Sequence, residues 1–248
     1  MSLARVEYYF SEFLSRLETR RGVNVNDRND RKKAEVSLDV GGRKGKMPMQ
    51  LFISGNVLFV GTMNEDETTQ SLSDKVIDRA NVLRFGCPEN IGNLSSNSIS
   101  STKKMSNRLP FSTWNSDWVK SRNHLSNSSL RKMTDWIEQL RSCMSKVNRP
   151  FAYRVAQGML EYAANYPSPD KNLGNIISDQ IEQKILPRLR GIDPTGAKGR
   201  EAFEAIKRIL GSDTCKDDLL IGTLTSSSQD NYFQWSGLDR AKEGVVDG

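Results

Sequence analysis

The sequence contains a single histidine, His124, and only three cysteines among its 248 residues. One histidine leaves almost no material for a Cys/His zinc site or for Ser-His-Asp catalysis. The three cysteines are odd in number and far apart, so we expect reduced thiols rather than a disulfide framework. No run of about 18 apolar residues suggests a membrane span. The amino terminus has no signal-peptide pattern, so the expected location is the cytoplasm.

A P-loop is also missing from the sequence. Nucleotide hydrolysis by P-loop proteins needs the pattern G-x-x-x-x-G-K-[ST], in which backbone amides cradle the phosphates and the Ser/Thr binds Mg²⁺. The nearest stretch is GIDPTGAK at Gly191–Lys198, where the lysine is displaced by one residue and no Ser/Thr follows it. We interpret this stretch as a turn between helices. We therefore expect that the chain alone is not a competent NTPase.

The charge balance is moderately basic. The chain carries 36 Lys and Arg against 30 Asp and Glu, a net charge of +6. This excess is compatible with an anionic partner such as nucleic acid or a nucleotide. The same mixture of charges is equally typical of a solvated surface, so charge alone does not decide between these interpretations.

The stretch from Gly55 to Phe85 carries the strongest chemical signal. Asn56–Val60 is a short apolar run that predicts a strand buried on both faces, as in a parallel sheet. Polar residues follow at once, where ligands bind beyond the carboxyl ends of strands. Ser71–Asp74 then offers a capping pattern for a short helix with apolar residues at a spacing of four, and Val82–Phe85 resumes an extended apolar segment.

Apolar spacing from Val6 to Leu17 predicts an amphipathic helix at the start of the chain. Alternation from Val36 onward, a Gly-Gly turn and a second apolar run ending at Ile53 predict a β-hairpin. The hairpin tip carries three basic residues, Arg43, Lys44 and Lys46. They could contact DNA or a partner, but we favour an ordinary solvated turn because no aromatic residue accompanies them.

The composition shifts after residue 86. Residues 87–128 predict a Ser- and Asn-rich linker or insertion, and residues 129–211 predict a bundle of four helices. Pro150 is expected to begin the second of these helices, which must stop before Pro167. Residues 212–248 are predicted to form a loosely attached, low-complexity tail that includes Trp235.

Several of these segments together resemble one family. GTMN after an apolar strand, an acidic loop and then KVIDRANVLRF is similar to the region from sensor 1 to the arginine finger of AAA+ ATPases. The McrB-type branch, the NTP-hydrolysing subunits of modification-dependent restriction systems, is the most similar. The opening LARVEYYFSEFLSRL resembles the segment after the Walker B acidic pair. FAYR at Phe151–Arg154 and the later QKILPRLRG resemble parts of the helical lid of this branch.

The resemblance implies an α/β fold class, a partial AAA+ (P-loop NTPase-like) core that lacks the P-loop half and is followed by a helical lid bundle. Residues 1–86 would be the partial core with its hairpin and sensor-1 strand, and residues 129–211 the lid. Met1 and Ser2 stand where the family has a buried strand and an acidic pair. We therefore expect the chain to be a piece of a longer protein, although a natural short form is the alternative.

The resemblance also implies roles for individual residues. Asn64 would be sensor 1, which orients the attacking water, although an asparagine that caps the loop is the structural alternative. Arg79 would be the arginine finger that acts on the nucleotide of the next subunit, with Arg84 as the fallback. The remaining implied nucleotide-binding residues are Arg154 as sensor 2, Thr62 and Glu67. Glu67 stands where GTP-using members have the aspartate of an N-x-x-D element, so the choice between ATP and GTP stays open.

The implied intact protein is a ring-forming, hexameric NTPase that uses ATP or GTP with Mg²⁺ and drives a nuclease-type partner on DNA. No nucleotide or metal is expected to bind this chain alone, and no membrane is involved. A second hypothesis is a non-catalytic nucleic-acid-binding module that uses the basic hairpin tip, Arg43 to Lys46, and the basic lid. A third is a structural scaffold in which the sensor-like loop has lost its role.

Overall fold

A computed structural model of the chain describes residues 6–38, 48–63, 72–85, 110–120, 122–227 and 231–238. The chain divides into two compact units, Met1–Ala80 and Asn81–Gly248, which we call the N-terminal unit and the C-terminal unit. Most of the described buried apolar side chains belong to the C-terminal unit. Within the described ranges, no helix is long and apolar enough to cross a membrane.

The described residues of the N-terminal unit form three α-helices. Helix α1 (Val6–Thr19) confirms the helix predicted from apolar spacing, and a 3-10 turn, Arg20–Gly22, continues it. Helix α2 (Arg28–Lys32) begins after Asp27, whose carboxylate accepts a hydrogen bond from the Asn29 N–H at 2.9 Å. Helix α3 (Asp74–Ile77) is a single turn, shorter than the helix that the spacing predicted.

The predicted β-hairpin is confirmed. Strands β1 (Glu35–Leu38) and β2 (Met49–Phe52) pair in antiparallel fashion, with Glu35 opposite Phe52 and Leu38 opposite Met49. Val36 is the buried position of β1, whereas most of β2 is exposed. The hairpin tip with Arg43, Lys44 and Lys46 lies outside the described residues.

The prediction of a buried strand at Asn56–Val60 is wrong. These residues form no strand, and the exposed fraction reaches 75% at Leu58 and 94% at Val60. A four-residue apolar run becomes a buried strand only when neighbouring strands supply hydrogen bonds on both sides. Among the described residues, the sheet has two strands, β1 and β2, and neither pairs with this run.

The C-terminal unit contains the four helices that were predicted for residues 129–211. They are α5 (Asn127–Lys146), α6 (Tyr153–Asn165), α7 (Leu173–Gln180) and α8 (Ala197–Leu210). A short helix, α4 (Phe111–Thr113), runs into a π-helical turn, Trp114–Trp118, ahead of them. The expected start of α6 at Pro150 is wrong by three residues, because Ala152 is extended and serves as the N-cap while Phe151 is buried.

A continuous buried segment follows α7. The chain passes from α7 into a π-helical stretch, Ile181–Ile185, and then a 3-10 stretch, Leu186–Leu189. Every residue from Gln180 to Leu189 is buried. Helices α5, α6 and α8 pack around α7, so this segment lies at the centre of the C-terminal core.

The prediction of a loosely attached tail is wrong for the described part of it. Helix α9 (Asp218–Ser227) buries Leu220 and Leu224 against the core, and the ring of Phe233 packs edge-on against Phe203 of α8 with centroids 4.8 Å apart. Trp235 is 1% exposed. Leu220 and Leu224 have the helical spacing of four, but the Ser-, Asp- and Gly-bearing composition of this stretch led to the prediction of a tail.

Two helical glycines give a matched test of packing around α8. Gly199 lies in α8 where a Cβ would overlap the carbonyl oxygen of Asp193, whereas Gly158 in α6 has open space at that position. Alanine is the better helix former by about 1 kcal/mol. We expect G158A to raise the free energy of unfolding and G199A to lower it by about 1–3 kcal/mol, because the backbone must move. Urea unfolding measures both, and a stabilised G199A would contradict this packing.

Acid unfolding tests the link between Asp170 and the start of α5. The hydroxyls of Ser126 and Ser129 donate to Asp170 Oδ1, and they lower the pKa of this carboxyl from its ordinary 3.8. A lowered folded-state pKa contributes stability above the unfolded-state value and loses it as pH falls through the folded-state value. We therefore expect D170N to unfold more easily at pH 7, with the difference from wild type closing below pH 3.8.

The control for this experiment is the double variant S126A/S129A. The carboxylate there lacks both hydroxyl donors, so D170N in that background should change the free energy of unfolding much less. An equal effect of D170N in both backgrounds would show that the hydroxyls do not stabilise the Asp170 carboxylate.

Candidate functional site

The predicted site residues are divided between the two units and the undescribed ranges. Asn64 and Glu67 fall outside the described residues, as do the three basic residues of the hairpin tip. Thr62 and Arg79 belong to the N-terminal unit, and Arg84 and Arg154 to the C-terminal unit. Thr62 is exposed and follows the exposed run at Val57–Val60.

Arg79 is the predicted site residue whose hydrogen bonds and ion pair are described most fully. It lies two residues after α3, whose Val76 and Ile77 are buried. Its Nε donates to Glu18 Oε2 at 3.2 Å, and its Nη1 donates to the carbonyl oxygen of Lys75 at 2.8 Å. Both side chains of the ion pair are mostly covered, with 23% of Arg79 and 28% of Glu18 exposed. The guanidinium is therefore held from two directions.

Helix α1 and the residue that follows it supply this and other contacts of the N-terminal unit. Immediately after α1, Arg20 Nη1 donates to the carbonyl oxygens of Ile53 and Ser54 at 3.3 and 2.9 Å, and Nη2 donates to that of Val57 at 3.3 Å. Partial burial lowers the pKa of Arg20. The ring of Phe13 meets that of Phe59 edge-on at 4.9 Å. One helix thus contacts both the chain ahead of Thr62 and the proposed finger Arg79.

Arg84, the fallback finger, has a structural role in the C-terminal unit. Its Nη1 donates to the carbonyl oxygen of Trp235, and Phe85 forms a parallel bridge with Leu238. Gly237 has a φ of +91°, and a Cβ there would overlap the backbone of Arg84. Arg84 therefore anchors the returning segment 233–238, a contact that sequence reasoning missed because the tail was expected to be loose.

Arg154 is the last residue of the predicted lid signal FAYR and lies in the first turn of α6. Its side chain is exposed, whereas Phe151 of the same motif is buried in the core. The motif thus has one apolar anchor and one surface arginine. Arg154 therefore lies on the surface of the C-terminal unit.

The central buried segment carries polar groups that sequence reasoning did not single out. Gln180 is fully buried, and neither atom of its amide group has a hydrogen-bond partner among the described residues. Glu182, Lys184 and Arg188 are also buried, and Arg188 Nε donates to the carbonyl oxygen of Lys184 at 3.0 Å. The α-helix ends at Gln180 and a π-helical stretch begins at Ile181. Because π-helical turns are frequent at functional positions, this change of helix type draws attention to the segment.

The described thiols and the half-buried Tyr162 are not activated for nucleophilic chemistry. Burial raises the pKa of Cys143 to about 11, and burial together with Asp217 raises that of Cys215 to about 11. Burial, helped by a 2.7 Å hydrogen bond to Asp179, also raises the pKa of Tyr162. In the described part of the chain, no three His, Cys, Asp or Glu side chains group closely enough to hold a metal ion.

Removal of the Arg84 guanidinium tests its anchoring role. Because Nη1 donates to the Trp235 carbonyl, we expect R84A to lower the free energy of unfolding by about 1–3 kcal/mol, the cost of losing a charged hydrogen bond. Hydrogen exchange at residues 233–238 should accelerate. R131A, which removes an exposed arginine of α5, is the control and should leave these amides unchanged. Unaltered exchange in R84A would mean that the returning segment is held without Arg84.

Comparison with known proteins identifies a family. No curated protein and no solved structure matches the chain. A family model described as a domain of unknown function, DUF8727, matches residues 100–229. This range contains α4 to α9 and Arg154, and it leaves Thr62, Arg79 and Arg84 outside. Because the match covers more than half of the 248 residues, the chain belongs to the DUF8727 family.

Proposed function

We propose that this chain supplies the sensor-1, arginine-finger and lid parts of an AAA+ NTPase of the McrB type. The intact protein would be a hexameric ring in the cytoplasm that hydrolyses ATP or GTP and drives a DNA-restriction or remodelling partner. The N-terminal unit would be the partial α/β core, and the C-terminal unit would include the lid. The sequence similarity described above supports this proposal.

The observation that carries the proposal is the setting of Arg79. Phosphoryl transfer develops negative charge on the transferred group and its oxygens, and a correctly positioned arginine stabilises that charge. Such an arginine must be held in place before the reaction, yet keep donors for the phosphate. Arg79 is mostly covered and bound by Glu18 and by the Lys75 carbonyl, and its Nη2 has no hydrogen bond to any described residue.

The C-terminal unit provides a second line of support. A lid must be a rigid body that presents one or two side chains to a nucleotide held elsewhere. The C-terminal unit has a continuous apolar core around α7, and Arg154 stands exposed in the first turn of α6. Sensor 2 is the role that the proposal gives to Arg154.

The phosphates and Mg²⁺ would be bound by another part of the intact protein. The sequence has no P-loop, and the described residues contain no cluster of three potential metal ligands. The part of the chain that the structure describes therefore offers no fit for a Mg²⁺ site, and no metal-dependent step is assigned to it. Its proposed contribution is limited to charge stabilisation by Arg79, positioning of water by Asn64 and closure of the lid.

Calorimetric titration of the chain with ATP and with GTP, each with Mg²⁺, tests the proposal. Without a P-loop we expect no binding in the micromolar range for either nucleotide. Micromolar binding would mean that the chain forms a complete nucleotide site, and the proposal would have to be abandoned. The chain would then be a nucleotide-binding protein with a site of a different kind.

A parallel titration with duplex DNA at two salt concentrations separates the second hypothesis. A nucleic-acid-binding module gains most of its affinity from phosphate contacts and loses that affinity steeply as salt rises. Salt-sensitive DNA binding that nucleotides do not alter, and that a K44A variant weakens, would favour this module over the NTPase part.

A further inference from the structure

The ion pair between Glu18 and Arg79 joins two parts of the chain that are 61 residues apart. Glu18 is the penultimate residue of α1, and Arg79 follows α3. A carboxylate in the last turn of a helix faces the negative end of the helix dipole, which is an unfavourable position for it. Helix formation therefore does not explain a glutamate here, whereas the contact with a cation does.

The two anchors of Arg79 use two of the three nitrogens of its guanidinium. Nε binds the carboxylate and Nη1 binds the Lys75 carbonyl, and Nη2 is left without a hydrogen bond to the described residues. A planar guanidinium fixed at two of its nitrogens cannot swing freely, so the direction of the third nitrogen is fixed as well. Arg79 is thereby held in one orientation with donors still available.

Glu18 is itself carried on a well-tethered element. Arg20, two residues further on, binds the carbonyl oxygens of Ile53 and Ser54, and Phe13 packs against Phe59. A positioning residue is effective when its own backbone is fixed by such contacts. The segment that leads to Thr62 and the arginine thus share one support, helix α1.

We propose that Glu18 is a positioning residue that holds Arg79 in the orientation required to contact the phosphates of a nucleoside triphosphate on a neighbouring subunit. This inference rests on the proposed function, because it assumes that Arg79 is an arginine finger. Glu18 itself would touch no substrate. Its carboxylate would act only by fixing the guanidinium before the nucleotide arrives.

The first test uses this chain and does not depend on the reaction. The Arg79 Nε–H signal in a ¹H–¹⁵N NMR spectrum should be resolved and slow to exchange with solvent in the wild type. E18Q should broaden that signal or speed its exchange. E12Q is the matched control, because Glu12 lies on the same helix and pairs with Arg16 at 3.7 Å. An unchanged Arg79 signal in E18Q would refute the positioning role, and thermal unfolding checks that both variants are folded.

The second test measures NTP hydrolysis by the intact protein that we propose contains this chain. We expect R79A to reduce kcat by about 10³-fold or more, as loss of an arginine finger does. E18Q should reduce kcat by about 10-fold with an unchanged KM, because a misplaced catalytic group costs rate rather than substrate binding. E12Q should match the wild type.

The outcomes distinguish the two proposals. If R79A abolishes hydrolysis and E18Q is fully active, the positioning role is wrong and the arginine finger stands. If the R79A variant hydrolyses NTP at the wild-type rate, the proposed function of Arg79 is wrong. Glu18 then has no role in catalysis either. The NMR result then still decides whether Glu18 orders the Arg79 side chain.

Discussion

The N-terminal unit depends on hydrogen bonds from the Arg20 guanidinium to three backbone carbonyls, because its described part buries so little apolar surface. The buried apolar side chains there are Ala34, Val36, Val76 and Ile77, too few to fix several segments by the hydrophobic effect alone. Charged groups on and near α1 hold these segments together instead. Such contacts are directional, which would suit the role that we propose for Arg79.

The C-terminal unit is stabilised in the opposite way. Its segment from Gln180 to Leu189 is buried throughout, and the surrounding helices cover it on all sides. A buried amide without hydrogen bonds costs about 1–3 kcal/mol, so Gln180 is tolerated only because the apolar packing around it is extensive. Among the described residues, apolar packing thus dominates in the C-terminal unit, and polar contacts are prominent in the N-terminal unit.

Sequence patterns predicted the helices whose formation depends on residues close together in the chain. The apolar stripe from Leu130 to Met144 predicted α5, and Gly211 marked the end of α8. Burial at Val57–Val60 depends on neighbouring strands, which a short apolar run does not specify, and that prediction failed. In the candidate site the sequence indicated Arg79 itself. Its partner Glu18 lay beyond prediction, because the contact joins residues that no spacing rule connects.

The contact between Arg84 and Trp235 joins residues 151 positions apart, and so it closes almost the whole C-terminal unit into one loop. The entropy of closing a loop grows only slowly with its length, so the contact is thermodynamically affordable. The long separation instead determines when the contact can form. During synthesis on the ribosome, Arg84 emerges long before Trp235, and the helices between them must form without the returning segment 233–238. Cotranslational folding of this unit would therefore end with its carboxyl-terminal segment, and a nascent chain stopped before residue 233 would leave Phe203 without the ring that packs against it.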